Sequence, residues 1–315
     1  MRCGYEPTSG TYYEVLGNAG SDRPLLLMIH GGGATGACFR TSLDGRPGWA
    51  DQLADRHHRV VVSDWPGCGR SGNRHLVDIE YSDVVEGYRR LLRDVIGEPV
   101  IVLCHSMGGA AAWQLVEHEG DLVVGVVAVA AAHPGNLQSK ADVINDDGKT
   151  ITVRFPDSGA IFIIDRTRGY IYEDDYIHRQ AIASSKHFPR DRVDGLRVGL
   201  VPLPPKMLLQ RMGILPGLPP VTNTARFVGK PVRLVAGSED PAHTQSIEKS
   251  TAQLLRGWGA NVEIIWLPDQ GVHGNGHFLF LEDNRDDVLS VVEEQIAAVW
   301  DLRPGGASRG GSNRI

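Results

Sequence analysis

The chain has no basic excess: 32 lysines and arginines stand against 38 aspartates and glutamates, for a formal net charge of −6. A nucleic-acid partner is not expected, because such proteins usually carry a basic face toward phosphate. No apolar run reaches the roughly 18 residues that a bilayer span requires, so no membrane association is expected. The opening stretch, Met1-Arg2-Cys3-Gly4-Tyr5-Glu6-Pro7, lacks the apolar segment of a secretory leader. Cysteine is scarce. Cys3, Cys38, Cys68 and Cys104 all fall in the first third without paired spacing, which reads as free thiols in a cytoplasmic setting. Internal repeats are absent as well. At 315 residues the chain is long for one core and short for two, so one domain with a sizeable insertion is expected.

What is present is alternation. Short apolar runs at Leu25–Ile29, Arg59–Ser63, Pro99–Leu103, Leu122–Ala130, Val232–Ala236 and Val262–Leu267 read as buried strands. Between them Trp49–Arg56, Tyr81–Ile96, Ser246–Trp258 and Asp286–Trp300 have helical spacing, and Thr11–Leu16 reads as an edge strand. Apolar strands alternating with helices predict an α/β fold, with a mostly parallel central sheet covered by helices on both faces. The pattern stops from about 133 to 229, where only a hairpin at Thr150–Ile164 and a helical stretch at Glu173–Lys186 precede Pro-rich sequence at 202–220. The predicted division is a discontinuous core of 1–132 and 230–303, an inserted cap at 133–229, and a disordered tail at 304–315. A cap inserted there is expected over the carboxyl ends of the strands, where open α/β sheets place ligands.

Chemistry is concentrated at Cys104-His105-Ser106-Met107-Gly108. An apolar strand precedes this pentapeptide and small, helix-tolerant residues follow it, which is the context of a nucleophile elbow. The turn is tight, so positions two before and two after the serine must be small, and Cys104 and Gly108 are. A serine hydroxyl attacks only when a base takes its proton and a third group orients that base. In a strand–elbow–helix fold the chain order is nucleophile, acid, histidine. Asp240, in Gly237-Ser238-Glu239-Asp240-Pro241, is the predicted acid, with Glu239 one residue away as rival. His277, in His273-Gly274-Asn275-Gly276-His277-Phe278, is the predicted base. Gly-Asn-Gly opposes a helix between His273 and His277, so no metal is expected on that pair. The oxyanion formed on attack needs donors fixed in advance. Met107 N–H is the first candidate, and His30-Gly31-Gly32-Gly33 supplies the second through Gly32, or Gly33 beside it. Trp65, Trp113, Met207 and Met212 are weaker candidates for substrate contact. The apolar set of Met207, Leu208, Met212, Ile214 and Leu215 is open to two readings, a cavity wall or the contact of a homodimer.

Together these motifs resemble the α/β-hydrolase superfamily over roughly residues 20–135 and 228–300. Thr41-Ser42-Leu43-Asp44-Gly45-Arg46-Pro47-Gly48-Trp49 and Leu267-Pro268-Asp269-Gln270-Gly271-Val272-His273-Gly274-Asn275-Gly276-His277 are similar to a bacterial esterase group typified by an Alcaligenes esterase. That resemblance implies His277 as the base. It departs in two places: the group has paired cysteines where Gly32 and Gly33 stand, and a glutamate after the strand that here ends in Ala131-Ala132-His133-Pro134. The expectation is a serine hydrolase acting on a small-molecule carboxylic ester through Ser106, His277 and Asp240, without metal or organic cofactor. Carbon–carbon bond hydrolysis, lactonase and perhydrolase chemistry share the same triad. A non-catalytic small-molecule receptor is the alternative of another class.

Overall fold

A computed structural model of the chain describes residues 2–303 apart from 19, 22, 73 and 156–158. The predicted tail at 304–315 lies outside the described residues. Eight strands form the central sheet: β1 (Arg2–Tyr5), β2 (Tyr12–Leu16), β3 (Leu25–Ile29), β4 (Arg59–Ser63), β5 (Val100–Ser106), β6 (Val123–Ala131), β10 (Pro231–Ala236) and β11 (Asn261–Trp266). Their order is β1-β2-β4-β3-β5-β6-β10-β11. The pairs from β4 to β11 are parallel, and only β1 and β2 run against their neighbours. The inner strands β3, β5 and β6, covered on both faces, are buried nearly throughout and predominantly apolar, while β11 at the edge exposes Asn261 and Glu263.

Side chains alternate across this sheet and build two cores. Leu25, Leu27 and Ile29 of β3 pack with helices α2 (Tyr81–Arg90), α3 (Gly108–Glu119) and α7 (Gln245–Gly257). Leu26 and Met28 face the opposite way, toward α1 (Trp49–Asp55) and α8 (Arg285–Asp301). The mostly parallel sheet with helices on both faces is therefore as its sequence pattern implied. Two strands carried no such pattern. β1 lies at the sheet edge and is largely exposed, so it shows no apolar alternation.

The segment between β6 and β10 has its own three-stranded antiparallel sheet, β7 (Asp142–Asp146), β8 (Thr150–Arg154) and β9 (Ile161–Asp165). The expected hairpin is β8–β9, while β7 is exposed along its length and gave no signal. Then come α4 (Asp174–Tyr176), which runs on through wider turns to Ile182, α5 (Val193–Gly199) and α6 (Pro205–Arg211). The last two lie where the sequence reads as irregular and Pro-rich; Pro205 sits at the start of α6, a position that tolerates a missing N–H. This insertion is fastened to loops at the carboxyl ends of the core strands. Val201 N–H donates to Gly33 O at 2.7 Å, and Lys186 N–H donates to Gly274 O at 2.9 Å.

Candidate active site

Ser106 ends β5 and has φ +49°, a left-handed conformation that a non-glycine residue adopts only when its surroundings impose it. Those surroundings are tight. A Cβ on Gly108 would lie 2.6 Å from His30 O, and one on Gly109 would lie 2.5 Å from Ala132 O. Cys104 is fully buried at the first small position. The turn thus lifts Ser106 above the sheet while α3 begins directly behind it.

Ser106 Oγ–H donates to His277 Nε2 at 2.9 Å, and His277 Nδ1–H donates to Asp240 Oδ2 at 2.7 Å. Asp240 is 2 % exposed and also accepts the Ala242 N–H. Burial pushes its carboxyl up, but the His277 and His243 imidazoles and these hydrogen bonds outweigh it and hold it at about 2. Glu239, the rival, turns away and accepts Ser184 Oγ–H at 2.7 Å. His273 is exposed; only its carbonyl is engaged, by His187 Nε2 at 2.8 Å.

Two residues that hold this arrangement, Glu282 and His243, were not singled out from sequence. Glu282, 1 % exposed, accepts Gly276 N–H at 2.8 Å, Ser185 Oγ–H at 2.6 Å and Asn275 Nδ2–H at 2.6 Å. It fixes the loop that carries His277. His105 Nε2–H donates to His277 O at 3.0 Å, so the elbow's variable residue braces the base from beneath. His243 stacks on His277 and its Nδ1–H donates to Glu248 Oε1 at 2.9 Å. A glutamate five residues after a loop histidine, or a histidine three after an aspartate, is too common a pattern to stand out in one sequence.

Asp240, His243 and His277 also have donor atoms within 4.8 Å of one another, the spacing of a metal site. The two imidazoles are only 18° from parallel, so their lone pairs do not converge. Each Nδ1 already faces a carboxylate. The geometry suits a hydrogen-bond relay.

Met107 precedes α3, so its N–H belongs to the unpaired, positive end of that helix. Gly32 lies against it, since a Cβ there would meet Met107 Sδ at 2.2 Å. Gly33 has φ +71° and a Cβ on it would meet Tyr172 Cε2 at 2.5 Å. Tyr172 from the insertion therefore occupies the space over this loop, and larger residues at 32 and 33 would collide with it. His30 holds the loop from below: its Nδ1–H donates to Gly31 O at 2.8 Å and its Nε2 accepts Trp65 N–H at 3.1 Å. Burial lowers His30 to about 4, which keeps it neutral and able to do both.

Ser106 and His277 open into a cavity of about 330 Å³, walled by Phe155, Phe162, Tyr172, Tyr176, Arg211 and Met212 among others. A second space of about 20 Å³ lies on the other side of Ser106, among Gly32, Ile177, Ala181, Leu196 and Phe278. A model of the alpha/beta hydrolase family matches residues 26–291. The chain belongs to that family.

This hydrolase is 26 % identical to a probable secreted lipase of a fungal species, over 85 % of its own length and 80 % of the lipase. Its fold is similar to a monoacylglycerol lipase from Paleococcus ferrophilus, with a TM-score of 0.59 at 17 % identity, covering 91 % of this chain and 98 % of the other. It is likewise similar to a thermophilic esterase from Thermogutta terrifontis, with a TM-score of 0.57 at 12 % identity over 92 % and 93 % of the two chains. At such identities the solved structures speak for the fold alone.

Three expected substrate contacts are corrected. Trp65 is 1 % exposed and stacks on His30 at 4.7 Å, so it buttresses the glycine loop outside the cavity. Trp113 is fully buried and its Nε1–H donates to Ala132 O at 2.8 Å, tying α3 to the end of β6. Met207 is also fully buried and turned into the core, away from the cavity. Met212 does line the cavity, with Leu208. Of the apolar set named above, Met207, Leu208 and Met212 are buried within one chain, while Ile214 and Leu215 are only partly buried.

Proposed function

We propose that this hydrolase cleaves a small-molecule carboxylic ester through an acyl-enzyme on Ser106. The observation that carries the reading is the unbroken hydrogen-bond chain Ser106–His277–Asp240, with Ser106 at φ +49°. As Ser106 Oγ attacks the carbonyl carbon, His277 Nε2 takes its proton. Asp240 keeps the tautomer that leaves Nε2 free to accept, and stabilises the imidazolium that forms. The tetrahedral oxyanion is held by the N–H groups of Met107 and Gly32, with Gly33 shaping the loop. Its collapse breaks the ester bond, and the departing alcohol takes the proton from His277. Water then gives a proton to His277 and attacks the acyl-enzyme, which releases the acid and restores Ser106. The route needs neither a metal nor an organic cofactor. The insertion acts as the cap, laying Tyr172 and Tyr176 over Ser106 and narrowing the access of bulk water. The name of the fungal relative, a lipase, supports an ester as substrate.

A fluorophosphonate probe tests the assignment. It should modify Ser106 of the native enzyme, and Ser106→Ala should lose roughly 10⁴-fold or more in turnover of short acyl esters. Ester hydrolysis near the native rate in Ser106→Ala would overturn it. A receptor on this scaffold would leave Ser106 unlabelled. The four cysteines are unpaired in the structure, which supports a cytoplasmic location. The fungal relative is named as secreted, so cell fractionation decides that point.

A further inference from the structure

The wall of the larger cavity contains one arginine, Arg211, and neither a carboxylate nor a lysine among the described residues. Arg211 ends α6, and its guanidinium lies over the Phe155 ring at 5.1 Å. Its Nη1 is buried without a hydrogen-bond partner, and no described carboxylate pairs with it. Two other partly buried arginines differ in this respect: Arg70 faces Glu14 and Asp64, and Arg40 faces Glu14 and Asp51. The carboxyl end of α6 and the Phe155 ring face favour a cation there, but neither supplies an acceptor to Nη1. A partly enclosed charge with open donors calls for an anion, and the described residues do not provide one.

Arg211 shares its cavity with the reacting serine. Tyr172 and Tyr176 stack at 4.6 Å and line both the larger cavity and the smaller space beyond Ser106. Burial pushes the Tyr176 hydroxyl up to about 12, Asp240 adds to that rise, and the Arg211 charge acts against it. The guanidinium field therefore extends to the tyrosine pair that stands beside Ser106. The smaller space, about 20 Å³, is walled on the side away from Ser106 and His277 by Ile177, Ala181, Leu196, Leu200 and Phe278, has room for about one methyl group, and has no carboxylate, lysine or arginine in its lining.

We propose that the ester taken by this site has one short apolar arm, seated in the smaller space, and one longer arm ending in an anion that Arg211 binds. A terminal carboxylate or phosphate would serve, since both match a planar guanidinium in a two-point contact. This inference rests on the ester-hydrolase reading above.

The test compares methyl esters of equal chain length ending in a carboxylate, a phosphonate or a neutral amide. Native enzyme should favour an anionic ester over the amide by about 10- to 100-fold in kcat/KM, the range for one charge-assisted contact. The better of the two anions identifies the source. In Arg211→Met the anionic-to-neutral ratio should fall to near one, with the loss falling on KM. Arg211→Lys should recover part of the ratio. Equal kcat/KM for charged and neutral esters in native enzyme would overturn the proposal, whether or not the variants fold. A ratio unchanged in Arg211→Met would overturn it as well. If Ser106 is labelled by fluorophosphonate while the charge preference is missing, this inference fails and the ester-hydrolase reading stands. If Ser106 is not labelled and no ester is turned over, that reading itself has failed.

Discussion

His243 lies face to face with His277, the ring centroids 5.6 Å apart and the planes 18° from parallel. Burial works against a charged His243, yet Asp240 and Glu248 outweigh it and raise its pKa above the ordinary imidazole value; Arg211 acts the other way. A basic group whose pKa is raised on folding stabilises the fold fully below its unfolded pKa, about 6.5, and loses that contribution as pH rises through the folded value. Glu248→Gln should therefore destabilise more at about pH 6 than at an alkaline pH, where His243 has lost its charge. Thermal unfolding at the two pH values checks this. A deficit that does not vary with pH would mean that Glu248 acts by packing alone.

Asp240→Asn isolates orientation from architecture. The amide is the same size, but it can present an N–H to His277 and so favour the tautomer that cannot accept from Ser106. Turnover should fall by about 10⁴-fold with the fold intact. Asp240 has a depressed pKa, about 2, so its stabilising effect is present above the unfolded value of about 3.9 and is lost as pH falls through the folded one. Acid unfolding of the native enzyme should thus be steeper between about pH 4 and 2 than that of Asp240→Asn. Circular dichroism across that range reads the difference.

The candidates Ser106, Asp240 and His277 could be named from sequence because the strands that lead to the first two are short apolar runs buried along their length, and the fold orders nucleophile, acid and base along the chain. The residues that support them were not. Glu282 reads as an ordinary acid ahead of a helix; its partners Ser185 and Gly276 lie 97 and 6 residues away. Trp65 and Trp113 illustrate the same limit, since an aromatic next to a motif packs on whichever side the sheet leaves open. Burial in the sequence signal is symmetric between wall and core. α6 was hidden for a local reason: Pro204 and Pro205 obscure a helix whose apolar residues Met207, Leu208 and Leu209 are all buried. Arg211 was lost with it.

The Glu282 network gives a stability prediction with a catalytic consequence. In Glu282→Ala the donors on Gly276, Asn275 and Ser185 lose their shared acceptor, and each unsatisfied buried group costs about 1–3 kcal/mol. Glu282→Gln retains one carbonyl oxygen and should fall between Ala and the native residue. The ranking Glu, Gln, Ala should appear both in the denaturation midpoint and in kcat, because the same loop carries His277. Loss of midpoint without loss of kcat would show that His277 is held by His105 and Asp240 alone.

Gly33 offers a sharper test of how the insertion meets the core. Gly33→Ala has two problems: a Cβ only 2.5 Å from Tyr172 Cε2, and φ +71°, where an alanine is disfavoured by about 1–2 kcal/mol. Relief requires Tyr172 to withdraw, which would pull on the Val201 N–H bond to Gly33 O and on the Tyr172–Tyr176 stack. Gly32→Ala is different, since the atom met at 2.2 Å is the sulfur of a flexible methionine. Gly33→Ala should therefore lose more stability than Gly32→Ala. Adding Tyr172→Ala should recover part of the Gly33→Ala deficit, because the collision is removed and the backbone strain is not. A double-mutant cycle in denaturant measures that recovery. Strict additivity would sink the idea that Tyr172 is what keeps position 33 a glycine.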